Sequence, residues 1–178
     1  MFKCKAAIIG AGFMGPTHVE GLRRNAIEVI GIRGVDDEET QRVAESLRLE
    51  KAYKSQEELL SDPDVDVVHV TTPNKLHYDM CKAVLEAGKH VICEKPLAMT
   101  SKETADLVKI AEKSGKVAAV NYNLRFYPLA IEARERVQAG DIGDVLSISG
   151  SYVQDWLLYD TDYNWRVLAS EGGALRAV

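Results

Sequence analysis

The sequence predicts an α/β fold built on a doubly wound parallel sheet, followed by the truncated start of an α+β domain. Strand-like apolar runs alternate with helix-like segments over residues 1–122, as in βαβ units. The first run ends in glycines spaced G-x-G-x-x-G, from Gly10 to Gly15. Beyond Tyr122 this pattern stops, and Val145–Val153 alternates apolar with polar residues, which predicts a strand with one buried face. We therefore expect two units, residues 1–122 and 123–178.

Each element of the first unit has its own signal. The strands are short apolar runs, capping boxes begin helices at Ser55 and Thr100, and Gly88 and Gly115 end helices. In chain order we predict a strand at 6–9, a helix at 16–24, a strand at 28–32, a helix at 38–47, an extended link at 52–53, a helix at 55–60, a strand at 65–70, a helix at 75–87, a strand at 90–93, a helix at 100–114 and a strand at 117–121. A further helix is predicted at 128–139.

The glycine stretch predicts a dinucleotide-binding turn of the Rossmann type. Gly10 allows the tight turn, Gly12 lets the backbone approach a pyrophosphate, and Gly15 lets helix and strand pack closely. The helix start presents unpaired N–H groups and the positive end of its dipole to the phosphates. An ordinary structural turn is the alternative, and the strand before the glycines and the strand after the helix favour a cofactor site.

The end of the second strand leaves NAD and NADP both open. In a dinucleotide fold an acidic residue at this point binds the adenosine ribose hydroxyls. Here the usual acidic position holds Gly34, with Arg33 before it and Asp36 shortly after. Arg33 suits a 2′-phosphate, whereas Asp36 suits either a ribose or the N-cap of the next helix.

Polar residues follow two of the later strands, where a parallel sheet opens onto its ligand crevice. Thr72-Pro73-Asn74 and Glu94-Lys95-Pro96 occupy these strand ends, so we expect them beside the cofactor. His77 follows in the first helical turn, where a site role competes with a surface or capping role. His69 lies inside a strand, and we interpret it as a satisfied core histidine rather than a ligand.

Composition argues against several classes of partner. The net charge is −5 without a basic patch, which argues against nucleic acid and anionic membrane surfaces. The sequence has no apolar stretch long enough to span a bilayer, and its N-terminus leads at once into a strand, leaving no room for a signal peptide. The three cysteines are widely spaced and show neither disulfide nor metal-ligand spacing. We expect free thiols, no metal site and a cytoplasmic location.

Several motifs together resemble the glucose-fructose oxidoreductase/inositol dehydrogenase (Gfo/Idh/MocA) family. The most specific of them is the Glu94-Lys95-Pro96 block after the strand at 90–93, since the glycine motif is generic. The matching segments are Gly10–Gly15, Thr72–Asn74 with His77, Ala87–Leu97, Asn121–Pro128, Trp165-Arg166 and Glu171–Leu175. The resemblance implies an NAD(P)-dependent oxidoreductase that acts on a sugar, polyol or related hydroxyl or carbonyl compound.

The resemblance also implies roles for individual residues. It places Gly10, Phe13 and Met14 along the pyrophosphate loop and surrounds the cofactor with Thr72, Asn74, His77, Glu94 and Asn121. Arg125 and the Trp165-Arg166 pair would reach the nicotinamide end or the substrate pocket.

Lys95 is the catalytic lysine by the same resemblance. It would hydrogen-bond the substrate hydroxyl and assist proton removal while hydride leaves for the nicotinamide ring. The alternative is that Lys95 is a structural partner of Glu94. The family commonly has a cis peptide in the Lys95-Pro96 region.

Members of the family continue beyond the Gly-Gly-Ala-Leu stretch into a segment with a catalytic Asp and His, and this sequence ends before that segment. We expect a cofactor-binding fragment with little or no turnover. The alternative function is a non-catalytic dinucleotide-binding regulator of the same fold. An unpaired edge on the Val145–Val153 strand would favour a homo-oligomer.

Overall fold

The computed structural model of the chain describes residues 4–172. The Gly173–Leu175 part of the family resemblance lies outside the described residues. The strands are β1 Lys5–Ile9, β2 Glu28–Arg33, β3 Lys51–Ala52, β4 Val67–Val70, β5 His90–Cys93 and β6 Ala118–Val120. The helices are α1 Met14–Arg24, α2 Asp37–Ser46, α3 Gln56–Ser61, α4 His77–Glu86, α5 Ser101–Ser114, α6 Pro128–Ala139 and α7 Ala169–Gly172. Short 3-10 turns lie at Asn74–Leu76, Asn123–Phe126 and Trp165–Val167.

The six strands form one sheet in the order β3-β2-β1-β4-β5-β6, and every neighbouring pair is parallel. This is the doubly wound Rossmann arrangement that the alternation of strands and helices predicts. The order reverses between β1 and β4, where Ile9 pairs with Arg33 on one side and Val70 on the other. Because all strands run the same way, their carboxyl ends meet at one edge beside this reversal, which is where such sheets bind ligands.

The core has two layers, one on each face of the sheet. Successive residues of β1 belong to different layers, since Ala7 and Ile9 pack with α4 and α5 while Ala6 and Ile8 pack with α1 and α2. All four side chains are buried. Burial on both faces explains why β1 and β4 are almost continuously apolar, and it holds the strand ends rigidly in place.

Side-chain caps begin three of the helices, as the sequence predicts. The Asp36 carboxylate accepts from the Glu39 N–H at 2.7 Å, and Ser55 Oγ accepts from the Glu58 N–H at 3.1 Å. Thr100 forms a reciprocal capping box with Glu103. The N-cap interpretation of Asp36 is therefore confirmed.

The predicted strand at Val145–Val153 is wrong. Within residues 4–172 the segment pairs with no other strand, and a β-ladder needs a neighbour to accept and donate its backbone hydrogen bonds. Leu146 is 94% exposed and Ile148 is 90% exposed, so the alternating pattern buries no face here. The unpaired strand edge that we expected to drive oligomerisation is therefore not a feature of this region.

Residues 4–172 contain short helices, dispersed metal-ligating side chains and free thiols. None of the helices is both long and apolar enough to cross a membrane. Over the same residues, His, Cys, Asp and Glu form no group of three or more that could hold a metal ion. Cys4, Cys81 and Cys93 are free thiols, and Cys81 and Cys93 are buried.

Candidate cofactor site

In the glycine turn, two glycines have no room for a side chain and one glycine has free space beside it. Gly10 has φ of +111°, and a Cβ there would lie 2.7 Å from the Thr71 carbonyl carbon. A Cβ on Gly15 would collide with the Gly10 carbonyl oxygen. A Cβ on Gly12 would meet no atom within 4 Å. Close packing therefore requires glycine at Gly10 and Gly15, whereas Gly12 faces open space that a ligand can fill.

The start of α1 faces the same space with its amide groups free of side-chain caps. Phe13, at the N-cap position, makes no side-chain cap hydrogen bond and is 86% exposed, and Met14 is half-buried. Below the turn, Thr71 Oγ1 donates to the Gly10 carbonyl at 2.9 Å and fixes the loop against β4. Uncapped N–H groups and the positive end of an 11-residue helix favour an anion at this position.

His77 connects the ends of β4 and β5. Its side chain is fully buried, with Nδ1 2.7 Å from the Pro96 carbonyl oxygen and Nε2 2.8 Å from the Thr72 carbonyl oxygen. The surface or capping role considered for His77 is therefore wrong, because burial and two backbone partners give it a structural task inside the site. Because its ring contacts both loops, His77 fixes the positions of Lys95 and Pro96 relative to Thr72.

A network of hydrogen-bonded polar side chains crosses the site from α1 to Asn121, the residue after β6. His18 Nε2 lies 2.9 Å from Glu94 Oε1, and His18 Nδ1 lies 2.8 Å from His69 Nδ1. Asn121 Nδ2 donates to the same Glu94 oxygen at 2.5 Å. The side chains of His18, His69 and Glu94 are all buried. These hydrogen bonds join α1, β4 and the residue after β6 to Glu94 at the end of β5.

Burial and hydrogen bonding set the charges of the Glu94 and His69 side chains. Burial raises the pKa of Glu94, but hydrogen bonds from His18 and Asn121 outweigh burial, so the pKa of Glu94 is lowered. Burial, with His18 nearby, lowers the pKa of His69 to about 4. His69 is buried as predicted, but it is not fully satisfied, since its Nε2 has no hydrogen-bond partner within residues 4–172.

Sequence reasoning missed His18, although a signal for it existed. Gly15, His18, Val19 and Leu22 are the buried residues of α1, and their i, i+3, i+4 spacing turns them toward the sheet. A histidine on that stripe, one turn beyond the glycines, must contact the strand ends. The sequence could not show that its partner would be Glu94, which is 76 residues away.

Lys95 follows Glu94 with a cis peptide to Pro96 and a partly exposed side chain. Within residues 4–172 its ammonium group forms no ion pair or hydrogen bond. The Glu94 carboxylate is occupied by His18 and Asn121, and its only contact with Lys95 is to the backbone N–H at 3.3 Å. Within residues 4–172 no side-chain contact therefore supports the alternative that Lys95 is a structural partner of Glu94.

At the end of β2 the charged residues turn away from the glycine loop. Arg33 Nη1 donates to Asp37 Oδ1 at 2.6 Å and to the Tyr53 carbonyl at 3.2 Å. Tyr53 follows β3, which lies on the opposite side of β2 from β1. Asp36 caps α2. The Arg33 carbonyl accepts from the Gly10 N–H at 2.7 Å. In the described residues, however, neither the Arg33 nor the Asp36 side chain is hydrogen-bonded to the glycine turn.

Three of the predicted site residues, Arg125, Trp165 and Arg166, come after residue 122 in the sequence. Arg125 is exposed in the turn after β6, and the Arg166 guanidinium stacks on the Trp165 ring at 4.5 Å. Among residues 4–172, no hydrogen bond or ion pair links them to Glu94 or Lys95.

The segment that follows Trp165 is nevertheless anchored at the site edge. Buried Asn74 donates from Nδ2 to the Gly172 carbonyl at 3.0 Å, and Lys75 Nζ pairs with Glu171 Oε2 at 2.6 Å. Pro73 beside them is exposed, and Thr72 Oγ1 lies 3.3 Å from Met80 Sδ. The loop after β4 therefore binds α7 through these two contacts, and it also borders the crevice.

A reversal in strand order, a glycine turn with one open position and an uncapped helix start together define a dinucleotide-binding α/β protein. A family model described as an oxidoreductase family with an NAD-binding Rossmann fold matches residues 4–122. The chain belongs to this Gfo/Idh/MocA family, and the resemblance of its motifs is confirmed.

Relatives with known names include sugar and polyol dehydrogenases. Levoglucosan dehydrogenase of Pseudarthrobacter phenanthrenivorans is 33% identical over 98% of this chain and 47% of its own length. Inositol 2-dehydrogenase of Salmonella paratyphi B is 30% identical over 83% of this chain and 45% of its own length. The chain thus spans about half the length of the curated relatives it matches.

A solved structure supports the same fold. Levoglucosan dehydrogenase in complex with NADH and levoglucosan superposes with a TM-score of 0.87 at 31% identity, covering 96% of this chain and 49% of its own.

Proposed function

We propose that residues 4–122 bind NAD(H) or NADP(H), and that the whole protein transfers hydride between this cofactor and a hydroxyl-bearing carbon of a small molecule. The proposed substrate class is a sugar, polyol or related compound. Support for that class comes from the relatives, which include levoglucosan and inositol dehydrogenases. The division into a cofactor unit at 1–122 and a substrate and oligomerisation unit from residue 123 onward belongs to the same proposal.

The observation that carries the proposal is the open space at Gly12. Neighbouring Gly10 and Gly15 are glycine because the protein itself fills the space around them, but no protein atom within 4 Å of a Cβ would exclude a side chain at Gly12. Since Gly12 also precedes the uncapped start of α1, a bound pyrophosphate explains why it is glycine.

Lys95 supports the catalytic part of the proposal. When bound, a nicotinamide cofactor supplies the hydride acceptor or donor. The Lys95 side chain at the carboxyl end of β5 has no hydrogen-bond or ion-pair partner within residues 4–172, so it is free to hydrogen-bond a substrate hydroxyl. Its nitrogen would accept the hydroxyl proton as the neutral amine and return it as the ammonium in the reverse direction. His77 and the His18–Glu94 pair hold the two ends of this loop in place, so that the lysine is pre-positioned.

The test uses a matched pair of glycine variants. Gly12→Val should weaken NADH binding by about tenfold or more, because its side chain occupies the space for the pyrophosphate. Gly21→Val is the control, since Gly21 lies on the exposed side of α1 and a Cβ there also meets no atom within 4 Å. Binding is followed by isothermal calorimetry, and thermal unfolding confirms that both variants fold.

A wild-type protein that binds neither NADH nor NADPH would contradict the proposal. Equal losses of affinity in both glycine variants would also count against it, since the effect would then not come from the turn.

A further inference from the structure

The space beside Gly34 is filled by a carboxylate from another part of the chain. If Gly34 carried a Cβ, that atom would lie 2.6 Å from Glu39 Oε2 and 3.0 Å from Ala11 Cβ. The contact with Ala11 places this point next to the glycine turn. The same point is where a dinucleotide fold normally has the acidic side chain that binds the adenosine ribose.

The distance from the Cβ position of Gly34 to the Glu39 carboxylate is close to the distance, within an aspartate, from Cβ to its own carboxylate oxygens. In an aspartate the carboxylate oxygens lie about 2.4 Å from Cβ, as bond lengths and angles require. Glu39 Oε2 lies 2.6 Å from the Cβ position of Gly34. An acidic residue at position 34 would also clash with Glu39, so the glycine and the glutamate are complementary.

Glu39 is held in this position by the first turn of α2. Its Oε2 accepts from the Val35 N–H at 2.9 Å, and its own N–H donates to Asp36. Glu39 is partly buried, whereas neighbouring Glu38 is exposed. One carboxylate oxygen thus has a backbone partner, and Oε1 makes no hydrogen bond within residues 4–172.

The surrounding charge disfavours a 2′-phosphate. The N-cap and first turn of α2 carry four consecutive acids, Asp36 to Glu39. Arg33 is the cation suited to a 2′-phosphate, but it is bound to Asp37 and turned toward β3. A phosphate with a charge of about −1.5 to −2 would therefore meet repulsion at this edge of the sheet.

We propose that Glu39 replaces the missing acid at the end of β2, binds the adenosine ribose hydroxyls and makes the site selective for NAD(H) over NADP(H). This inference rests on the proposed dinucleotide function. It assigns to α2 a recognition task that the end of β2 usually performs. It also removes Arg33 and Asp36 from direct nucleotide recognition.

The test compares NADH and NADPH affinities of the wild type, Glu39→Gln and Glu38→Gln. The wild type should bind NADH about tenfold or more tightly than NADPH, and Glu39→Gln should reduce this ratio to about threefold or less. Glu38→Gln should keep the wild-type ratio because its side chain is exposed. Loss of a helix-capping contact would weaken both cofactors equally, so the ratio separates recognition from structural support.

Either of two results would overturn the inference alone. One is NADH binding with a ratio unchanged in Glu39→Gln, and the other is a wild type that prefers NADPH. Absence of binding to both cofactors would instead overturn the proposed function together with this inference. If Glu39→Gln fails to fold, Glu39→Asp withdraws the carboxylate by one methylene, and a ratio equal to that of the wild type would overturn the inference.

Discussion

The ammonium group of Lys95 lies at the candidate site and takes no part in the contacts that stabilise the fold of residues 4–172. Its ammonium lacks a partner within residues 4–172, whereas buried Lys89 donates to the carbonyls of Asp62 and Val65 at 2.7 and 2.8 Å. A lysine that supports structure is bound in this way, and Lys95 is not. The contrast favours a chemical role for Lys95 over a structural one.

We expect Lys95→Ala in the whole protein to lower turnover by about 10²–10⁴-fold, the usual contribution of a positioned acid or base. Affinity for the dinucleotide should stay within about twofold, because the glycine turn is untouched. Turnover is followed by nicotinamide absorbance with a panel of sugars and polyols. Exposed Lys102→Ala is the control. Retained turnover in Lys95→Ala would exclude the catalytic role, and binding without turnover in the wild type on the whole panel would favour the regulator alternative.

His69 makes the stability of the fold sensitive to acid. Its pKa is about 4 in the fold against 6.5 without the fold, mainly because of burial. Between these values the unfolded chain binds more protons than the folded chain, so stability falls as the pH is lowered through this window. A pair of histidine nitrogens 2.8 Å apart also admits at most one imidazolium.

We expect His69 to account for about 2 kcal/mol of the unfolding free energy lost between pH 7 and pH 5. His69→Asn keeps a polar group next to His18 but does not titrate, so its loss over this range should be smaller by that amount. Urea denaturation at each pH measures the difference. Identical pH dependence in the two proteins would show that His69 does not bind the proton.

At the scale of elements, capping residues locate the helix starts. The capping box of Thr100 and Glu103 satisfies the first amides of α5 from both directions, with 3.2 Å from the Glu103 N–H to Thr100 Oγ1 and 2.9 Å from the Thr100 N–H to Glu103 Oε2. Helix α5 then packs along α4 and covers one face of the sheet. Its start follows the Lys95-Pro96 loop directly, so the cap also limits the freedom of that loop.

Thr100→Ala should lower the free energy of unfolding by about 0.5–2 kcal/mol, because the Glu103 amide loses its acceptor. Ser101→Ala is the matched control, since its hydroxyl makes no hydrogen bond in the described part of the chain. Chemical denaturation of the two variants measures both effects. An equal effect of both substitutions would indicate that helix propensity, rather than capping, is responsible.

Considered as a whole molecule, the chain has two very different surfaces. Residues 4–121 expose few large apolar side chains, the clearest being Phe13, Val35, Val108 and Val117. Residues 122–168 expose them throughout, including Leu146 and Ile148. Helix α6 has no buried residue. An extended apolar surface of this kind favours association.

We expect the chain to form a dimer or larger species, and Leu146→Lys with Ile148→Lys to shift it toward the monomer, because two charges would have to be buried in the contact. Val108→Lys with Val117→Lys is the control pair, since both residues are exposed but lie within residues 4–121. Analytical ultracentrifugation gives the mass of each protein. A wild type that is monomeric at high concentration would contradict this prediction.

The sequence by itself determined the class of fold and the place of the site. Apolar runs, caps and glycines are local signals, so five of the six strands, and the sheet edge where Gly12 and Lys95 lie, could be predicted without coordinates. The short strand β3 was predicted only as an extended link at 52–53. The predicted strand at Val145–Val153 failed because a strand depends on a partner that its own residues do not specify.

Only the tertiary structure decided which residues meet across the site. His18 joins Glu94 across 76 positions, and His77 reaches Pro96 across 19. The structure also filled the space at Gly34 with the carboxylate of Glu39. The physical reason is the same in each case: side-chain contacts between elements depend on sheet order and packing, and periodicity along the chain carries no record of them.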